Sequence, residues 1–582
     1  MSPSLDIANG HPAATNGVKA AAHSTTPSAK PSSTSTSSTP ISLTINNLHI
    51  NGFISPSSHV ANFLNLPYAR IPARFRQAVP VDLHSTHGIL NATAYGPRCP
   101  QPFDTLHEMT AHLYPHMATR APTSEFECLN LNIYTPPGAV GGEDALLPVL
   151  VWIHGGAFTY GDGTCEFDGN FLVQHAVAVG KPMVVVSLNY RLGYFGFITS
   201  QELREEAQRN GEVGYSNLGF HDQRVGLQWI QTNIHLFGGS PTAITVAGES
   251  AGGCSILAHA ASTVPLFQRA FIMSAASLSP APLSAAQSTF DRLVASTGVR
   301  ASAPGPTKID ALRSLSPLQF EHLLQGEHVS PIWDPAWFAH ADPAAWLGAS
   351  TALPAWVSAV VVGSTRDECA LFAQPWRTLS TVGVIAAIRE ACEAEADGGA
   401  YADTILAAYD ITPSHPAAAA IKALEAWTTD ALFGALPYTL SASAPTAPAR
   451  VAIYAFEQPD PHPGPWAGAA YHSLDNAFLF RLPSVAGPHA PPDLRASADV
   501  FSEACIRLVN GELPWEAYGE KGRVMRVRGE ESGVVDGREV QRRWEGVVGT
   551  GEKAGEGLGV FAERGRRVLF AAMKTAMRQP LE

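Results

Sequence analysis

The stretch Ala243-Ile-Thr-Val-Ala-Gly-Glu-Ser-Ala-Gly-Gly-Cys-Ser255 constrains this chain most. A β-type run enters Gly248-Glu249-Ser250-Ala251-Gly252 and leaves directly as a helix-forming segment. So abrupt a change of direction needs a strained elbow, and glycines flanking it remove the Cβ atoms that would obstruct the turn. In a Gly-x-Ser-x-Gly elbow the serine hydroxyl is lifted above the sheet edge, and the N–H of the next residue points to the same place. Ser250 then reads as a nucleophile and Ala251 as an oxyanion donor. A plain Gly/Ser turn is the alternative, so the rest of the chain must supply a base and an acid.

Short, continuous apolar runs surround the elbow. Pro148–Ile153 and Met183–Asn189 end in turn residues, as strands buried on both faces of a parallel sheet do. Between Asp222 and Phe237, Val225, Leu227, Trp229, Ile230, Ile234 and Phe237 recur at helical spacing, and Gly238-Gly239 closes the element. Val357–Val362 and Val451–Phe456 continue the strand series, and Ile41–Phe53 alternates as a hairpin. The Ala-rich stretch Thr378–Thr439 predicts a helical insertion, around 375–440, capping the strand ends where open α/β sheets bind ligands. Val560–Met577 reads as a closing amphipathic helix. The expected architecture is α/β, with a mostly parallel central sheet flanked by helices. Residues 1–40, rich in Ser, Thr, Pro and Ala, form an expected disordered tail ahead of a single folded domain over 41–582.

Composition narrows the function classes. Apolar residues make up 45% and charged residues 15% of 582, which suits a globular protein with a large core. A net charge of −13 opposes a polyanionic partner, and the arginines of Arg523–Arg528 are followed by Glu530, Glu531, Asp536 and Glu539, the pattern of a solvated surface. No apolar run reaches the length of about 18 residues that a membrane span needs. The N-terminus lacks a basic segment followed by an apolar one, so the expectation is a cytoplasmic protein, with secretion as the alternative. Seven cysteines in so long a chain do not describe a disulfide scaffold.

Trp152-Ile-His-Gly-Gly-Ala-Phe158 follows a strand directly. Gly155 and Gly156 let backbone N–H groups approach a ligand unobstructed, so both are candidate oxyanion donors with Ala251. In a strand–elbow–helix site of this kind the chain order is Ser, then Asp or Glu, then His. Glu368, in Gly363-Ser-Thr-Arg-Asp-Glu368, lies just past an expected strand, with Asp367 as competitor for the acid role. His472, in Ala469-Ala-Tyr-His472, lies after a strand and at a helix start, where it can serve as base.

At this point the chain resembles the type-B carboxylesterases, the family of cholinesterases, bile-salt lipases and many fungal and bacterial esterases. The resemblance rests on Ser216-Asn-Leu-Gly-Phe-His-Asp-Gln-Arg through Gly238-Gly-Ser-Pro241, on the Ser250 elbow, and on Glu127-Cys-Leu-Asn-Leu-Asn-Ile-Tyr-Thr-Pro136, Asn189-Tyr-Arg-Leu-Gly193 and Leu66-Pro-Tyr-Ala69. It implies an α/β-hydrolase fold, a serine hydrolase acting on small-molecule carboxylic esters, Glu368 as acid and His472 as base, and no cofactor. It also implies a bridge between Cys99 and Cys128. The family's Glu-Asp-Cys-Leu reads Phe126-Glu-Cys-Leu129 here, a departure that bears on the ion pair its first acid makes with an arginine. Acyl transfer to another acceptor, tailoring of a secondary metabolite, and a non-catalytic binding role stand beside hydrolysis as alternatives.

Two motifs suggest other chemistry. His107-Glu-Met-Thr-Ala-His112 resembles a zinc helix, but i and i+5 histidines lie about 140° apart around a helix, so no metal site is expected. Gly549-Thr-Gly-Glu-Lys through Gly559 lacks the Gly-Lys-Ser/Thr ending of a phosphate loop. Trp333, Trp337 and Trp346 mark no cation site, since core packing explains them equally well.

Overall fold

The computed structural model describes residues 38–102, 110–114, 121–142, 145–262, 264–277, 280–324, 329–335, 337–338, 353–393, 398–442 and 449–540, with 547, 561 and 564–568 beyond. The tail up to residue 37, His107, Glu108, Trp346 and the glycine-rich 549–559 lie outside the described residues. So does most of the helix expected over Val560–Met577, although 561 and 564–568 are helical.

Among the described residues fifteen strands follow in chain order: β1 (Thr39–Ile45), β2 (Leu48–Ile54), β3 (Ala61–Pro67), β4 (Ala69–Arg70), β5 (Val79–Pro80), β6 (Gly88–Asn91), β7 (Asn130–Thr135), β8 (Leu147–Ile153), β9 (Val184–Leu188), β10 (Gly239–Glu249), β11 (Arg269–Met273), β12 (Ala359–Thr365), β13 (Arg450–Phe456), β14 (Arg523–Val527) and β15 (Gly533–Asp536). Thirteen form one sheet in the order β1-β2-β3-β7-β9-β8-β10-β11-β12-β13-β14-β15, with β6 on β2, while β4 and β5 pair separately. Every pairing from β9 through β14 is parallel. The N-terminal β1–β2 hairpin and the β14–β15 edge are antiparallel.

The continuous apolar runs have a direct cause. Successive side chains of a strand face opposite ways, so a strand covered on both faces needs apolar residues at every position. In β8, Val149, Val151 and Ile153 join one core cluster while Leu150 and Trp152 join the other. β12 and β13 divide in the same way, with Val360 and Ile453 on one side and Val361 and Tyr454 on the other. Each such fully buried side chain stabilises the fold by about 1.5–3 kcal/mol relative to exposure.

The helix expected between Asp222 and Phe237 is longer at its start than the periodicity implies. It runs Leu218–Asn233 and tightens to a 3-10 turn over Ile234–Phe237. Gly238 ends it at φ 84°, and a Cβ there would meet the carbonyl oxygen of Ala139 at 2.4 Å. The insertion between β12 and β13 is helical as expected, with helices Thr381–Cys392, Gly398–Ala408, Ala417–Thr429 and Leu436–Ala442.

Two strands of the parallel part of the sheet depart from the sequence reading. Arg269–Met273 is too short a run to stand out, yet it fills the sheet between β10 and β12. Arg523–Arg528, expected as solvated surface, is largely strand β14. Val524 and Val527 are fully buried, while the Arg526 guanidinium reaches out to the carbonyl of Glu539. Long cationic stems of this kind cover apolar surface and keep their heads in polar surroundings.

Candidate active site

Strand β10 delivers Ser250 into the elbow with φ 55° and ψ −120°, and the helix Ala251–Ala261 starts on the next residue. A non-glycine residue in such a conformation stores about 1–3 kcal/mol of strain, which the surrounding structure must hold in place. The Ser250 N–H donates to the carbonyl of Met273 at 2.9 Å, tying the elbow to β11. The flanking glycines are required by contact. A Cβ on Gly252 would lie 2.0 Å from the carbonyl oxygen of Ile153, and one on Gly248 would lie 2.7 Å from the backbone of Gly252.

The same contacts bring in the loop after β8. A Cβ on Gly155 would meet the Glu249 carboxylate at 2.7 Å and the Ser250 Cβ at 3.1 Å, so only glycine lets this backbone lie against the elbow. Gly156 adopts φ 101°. Among the described residues, the N–H groups of Gly155, Gly156 and Ala251 donate to no other group of the chain. His154 turns away from this opening. Its Nδ1 faces the Gly155 carbonyl at 2.9 Å, its ring stacks on Tyr190, and burial lowers its pKa, keeping it neutral.

Glu368 sits on the 3-10 turn Glu368–Ala370 immediately past β12 and is fully buried. Its Oε1 accepts from Ser274 Oγ at 2.6 Å and from the Thr365 N–H at 2.7 Å. Its Oε2 faces His472 Nδ1 at 2.5 Å. Asp367, the competing acid, points elsewhere. Its Oδ2 pairs with Arg366 at 2.6 Å and accepts the Ala470 N–H at 3.0 Å.

His472 therefore meets Glu368 on one ring nitrogen, and on the other its Nε2 lies 3.1 Å from Glu249 Oε1. Ser473 Oγ donates to the same Glu249 oxygen at 2.8 Å. Burial disfavours the imidazolium, but Glu249 and Glu368 outweigh it and raise the His472 pKa to about 9. Burial also raises the pKa of Glu249, against the pull of His472. A third carboxyl, Asp475, is pushed well above its usual range by burial and by Glu249 and Glu368, and it accepts from Tyr454 Oη at 3.1 Å. The rings of Phe372 and Phe433 close over the imidazole with centroids 5.2 and 4.9 Å away. Phe433 comes from the helical insertion, so that insertion walls the site directly.

Glu249, Ser274, Phe372, Phe433 and Asp475 escape the sequence reading. Only Glu249 carried a local signal, its place beside the elbow serine. The other four come to the site through tertiary packing alone.

The Sγ atoms of Cys99 and Cys128, both buried, lie 2.7 Å apart. The altered acidic motif keeps an ion pair by another residue: Arg74 binds Glu125 through two contacts of 2.7 Å. Trp337 is core, with the Arg224 guanidinium 3.6 Å from its ring centroid.

A nucleophile elbow on a mostly parallel sheet, with a following acid and histidine gathered at its strand ends, defines the α/β-hydrolase class. Within that class the chain belongs to the carboxylesterase family, whose model matches residues 40–506. It is 30% identical over 512 residues to the para-nitrobenzyl esterase of Bacillus subtilis (strain 168), a match covering 83% of this chain and 94% of that protein. It is 37% identical over 279 residues to Lipase 5 of Diutina rugosa, covering 44% of this chain and 47% of the lipase. The chain thus spans about half the length of the fungal lipases it matches. The solved structure of a PNB esterase superposes with a TM-score of 0.68 at 26% identity, covering 87% of this chain and 99% of that one. No helix among the described residues is long and apolar enough to cross a membrane.

Proposed function

We propose that this protein hydrolyses small carboxylic esters through an acyl-enzyme on Ser250. Ser250 Oγ attacks the ester carbonyl while His472 Nε2 takes the hydroxyl proton, and the N–H groups of Gly155, Gly156 and Ala251 hold the oxyanion of the tetrahedral intermediate. His472 then returns the proton to the leaving alkoxide. Water, deprotonated by the same imidazole, releases the acid and regenerates Ser250. Glu368 fixes the Nδ1–H tautomer that leaves Nε2 free to accept. The observation that carries this reading is a buried imidazole with a fully buried carboxylate on Nδ1 and, on Nε2, Glu249, the residue directly before the strained elbow serine. For this step Nε2 turns from Glu249 toward Ser250, since catalytic hydrogen bonds often tighten only once substrate is bound.

A fluorophosphonate is expected to inactivate the protein with a single modified residue per chain, and peptide mapping is expected to place that adduct on Ser250. An adduct on any other residue overturns the assignment. A panel of p-nitrophenyl esters of graded acyl length then defines the pocket.

Glu249 sets the pH response. His472 acts as base only when neutral, so kcat/KM rises as pH passes upward through its pKa, which the neighbouring carboxylates raise. Glu249→Gln removes one of them, lowers that pKa, and is expected to move the rising limb toward acid by roughly one pH unit. A limb that stays in place in Glu249→Gln shows that Glu249 is uncharged in the free enzyme.

A further inference from the structure

The spacing within His107-Glu-Met-Thr-Ala-His112 cannot hold a metal, yet the fold carries His112 to donors 348 positions further along the chain. His112 lies on the 3-10 turn Ala111–Leu113, which Ser484 Oγ anchors through the Leu113 carbonyl at 2.7 Å. Its Nε2 faces Asp460 Oδ2 at 2.8 Å. From the opposite side His462 Nδ1 faces Asp460 Oδ1 at 2.7 Å, and the two imidazole centroids are 5.0 Å apart. One nitrogen from each histidine and one carboxylate oxygen all lie within 4.8 Å of one another.

We propose that His112, Asp460 and His462 form a binding site for one divalent transition-metal ion, with zinc the best match. Two imidazole nitrogens and one carboxylate oxygen suit zinc and its late first-row neighbours, whereas calcium and magnesium need a shell of oxygens. Ligands at ~2.0–2.1 Å from a tetrahedral ion stand about 3.3 Å apart, so a rotation of one imidazole completes the set. The histidine side chains keep 30% and 32% of their exposure, which supplies that freedom and an entry path, while Asp460 at 3% is held rigid. The fourth position stays open to water, as in zinc sites with three protein ligands.

Asp460 has the outer support that a metal-binding carboxylate requires. Tyr471 Oη donates to Oδ2 at 3.0 Å and the His462 N–H donates to Oδ1 at 2.9 Å. The site also clamps functional backbone. The Asp460 N–H donates to the Ala469 carbonyl at 2.9 Å and its own carbonyl accepts from Gly468 at 2.8 Å, closing the loop that leads through Tyr471 into His472. A bound ion would tie this loop to segment 110–114.

Calorimetric titration of the metal-stripped full chain with zinc chloride is expected to show a single equivalent bound. Binding is expected to weaken at least tenfold in His112→Ala and again in His462→Ala, both judged folded by circular dichroism, and zinc is expected to raise the Tm of the unsubstituted protein alone. Zinc binding that is absent from the unsubstituted protein, or undiminished in both variants, overturns the site. Cobalt(II) gives a reading independent of any variant. Intensified visible bands are expected when two imidazoles enter its coordination shell, and a spectrum identical to aqueous cobalt overturns the proposal.

Discussion

Ser250→Ala is expected to lower kcat on a p-nitrophenyl ester by about a millionfold while leaving the fold in place. On the proposed mechanism the loss is this large because Ser250 Oγ is the atom that bonds to the substrate carbonyl, while the proposed oxyanion donors and the pocket retain the small residual acceleration. Retention of the fold follows from the local contacts. Among the described residues Ser250 Oγ makes no hydrogen bond, and the elbow is tied down through backbone, by the Ser250 N–H to Met273 and the Cys254 N–H to the Ser250 carbonyl, both at 2.9 Å. Alanine keeps the Cβ and therefore the strain at φ 55°. Ser250→Gly separates the two roles. It relieves the positive-φ strain and is expected to be more stable by about 1 kcal/mol, unfolding at a higher temperature, while being equally inactive. Turnover of Ser250→Ala within tenfold of the unsubstituted protein would transfer the nucleophile elsewhere.

The strain at Ser250 explains why so much of this site is legible in sequence. An elbow that must hold a serine at positive φ needs glycine at 248 and 252, where any Cβ would strike backbone, and a glycine at 155 to lie against it. Such requirements are local and leave a short motif. Strands β8, β9, β12 and β13 are legible for a similar reason, since two-sided burial demands an uninterrupted apolar run. Glu368 and His472 are placed by order along the chain and by resemblance, and the structure brings them together at 2.5 Å. What stays hidden depends on contacts between distant segments. Asp475 sits in a helix like any surface acid, and only packing under Tyr454 beside Glu249 and Glu368 makes it a buried carboxyl. Arg74 finds Glu125 rather than a residue of the altered motif. Asp460 becomes a shared acceptor only once His112 folds onto it. The arginines of β14 mislead because charge at 523, 526 and 528 masks the burial of Val524 and Val527 between them.

Glu368→Gln is expected to cost about ten-thousandfold in kcat, with little change in Tm, and the hydrogen bonds dictate why. The Thr365 N–H is a backbone donor fixed at 2.7 Å from Oε1, and it has no other role there. A glutamine that turned its amide NH2 toward Thr365 would set donor against donor in a fully buried site, at about 1–3 kcal/mol. The side chain is therefore held with its carbonyl oxygen toward Thr365 and Ser274, and its NH2 must face His472 Nδ1. To accept that bond the imidazole moves its proton to Nε2, the atom that has to receive the proton of Ser250. The variant is thus folded, correctly spaced and locked in the wrong tautomer. The measurement that checks this is kcat together with the 15N chemical shifts of the His472 ring, which are expected to report an Nδ1–H imidazole in the unsubstituted neutral protein and an Nε2–H imidazole in Glu368→Gln. Near-normal turnover would mean that the orienting carboxylate is another one. Asp367, occupied by Arg366 and the Ala470 N–H, is poorly placed to take over.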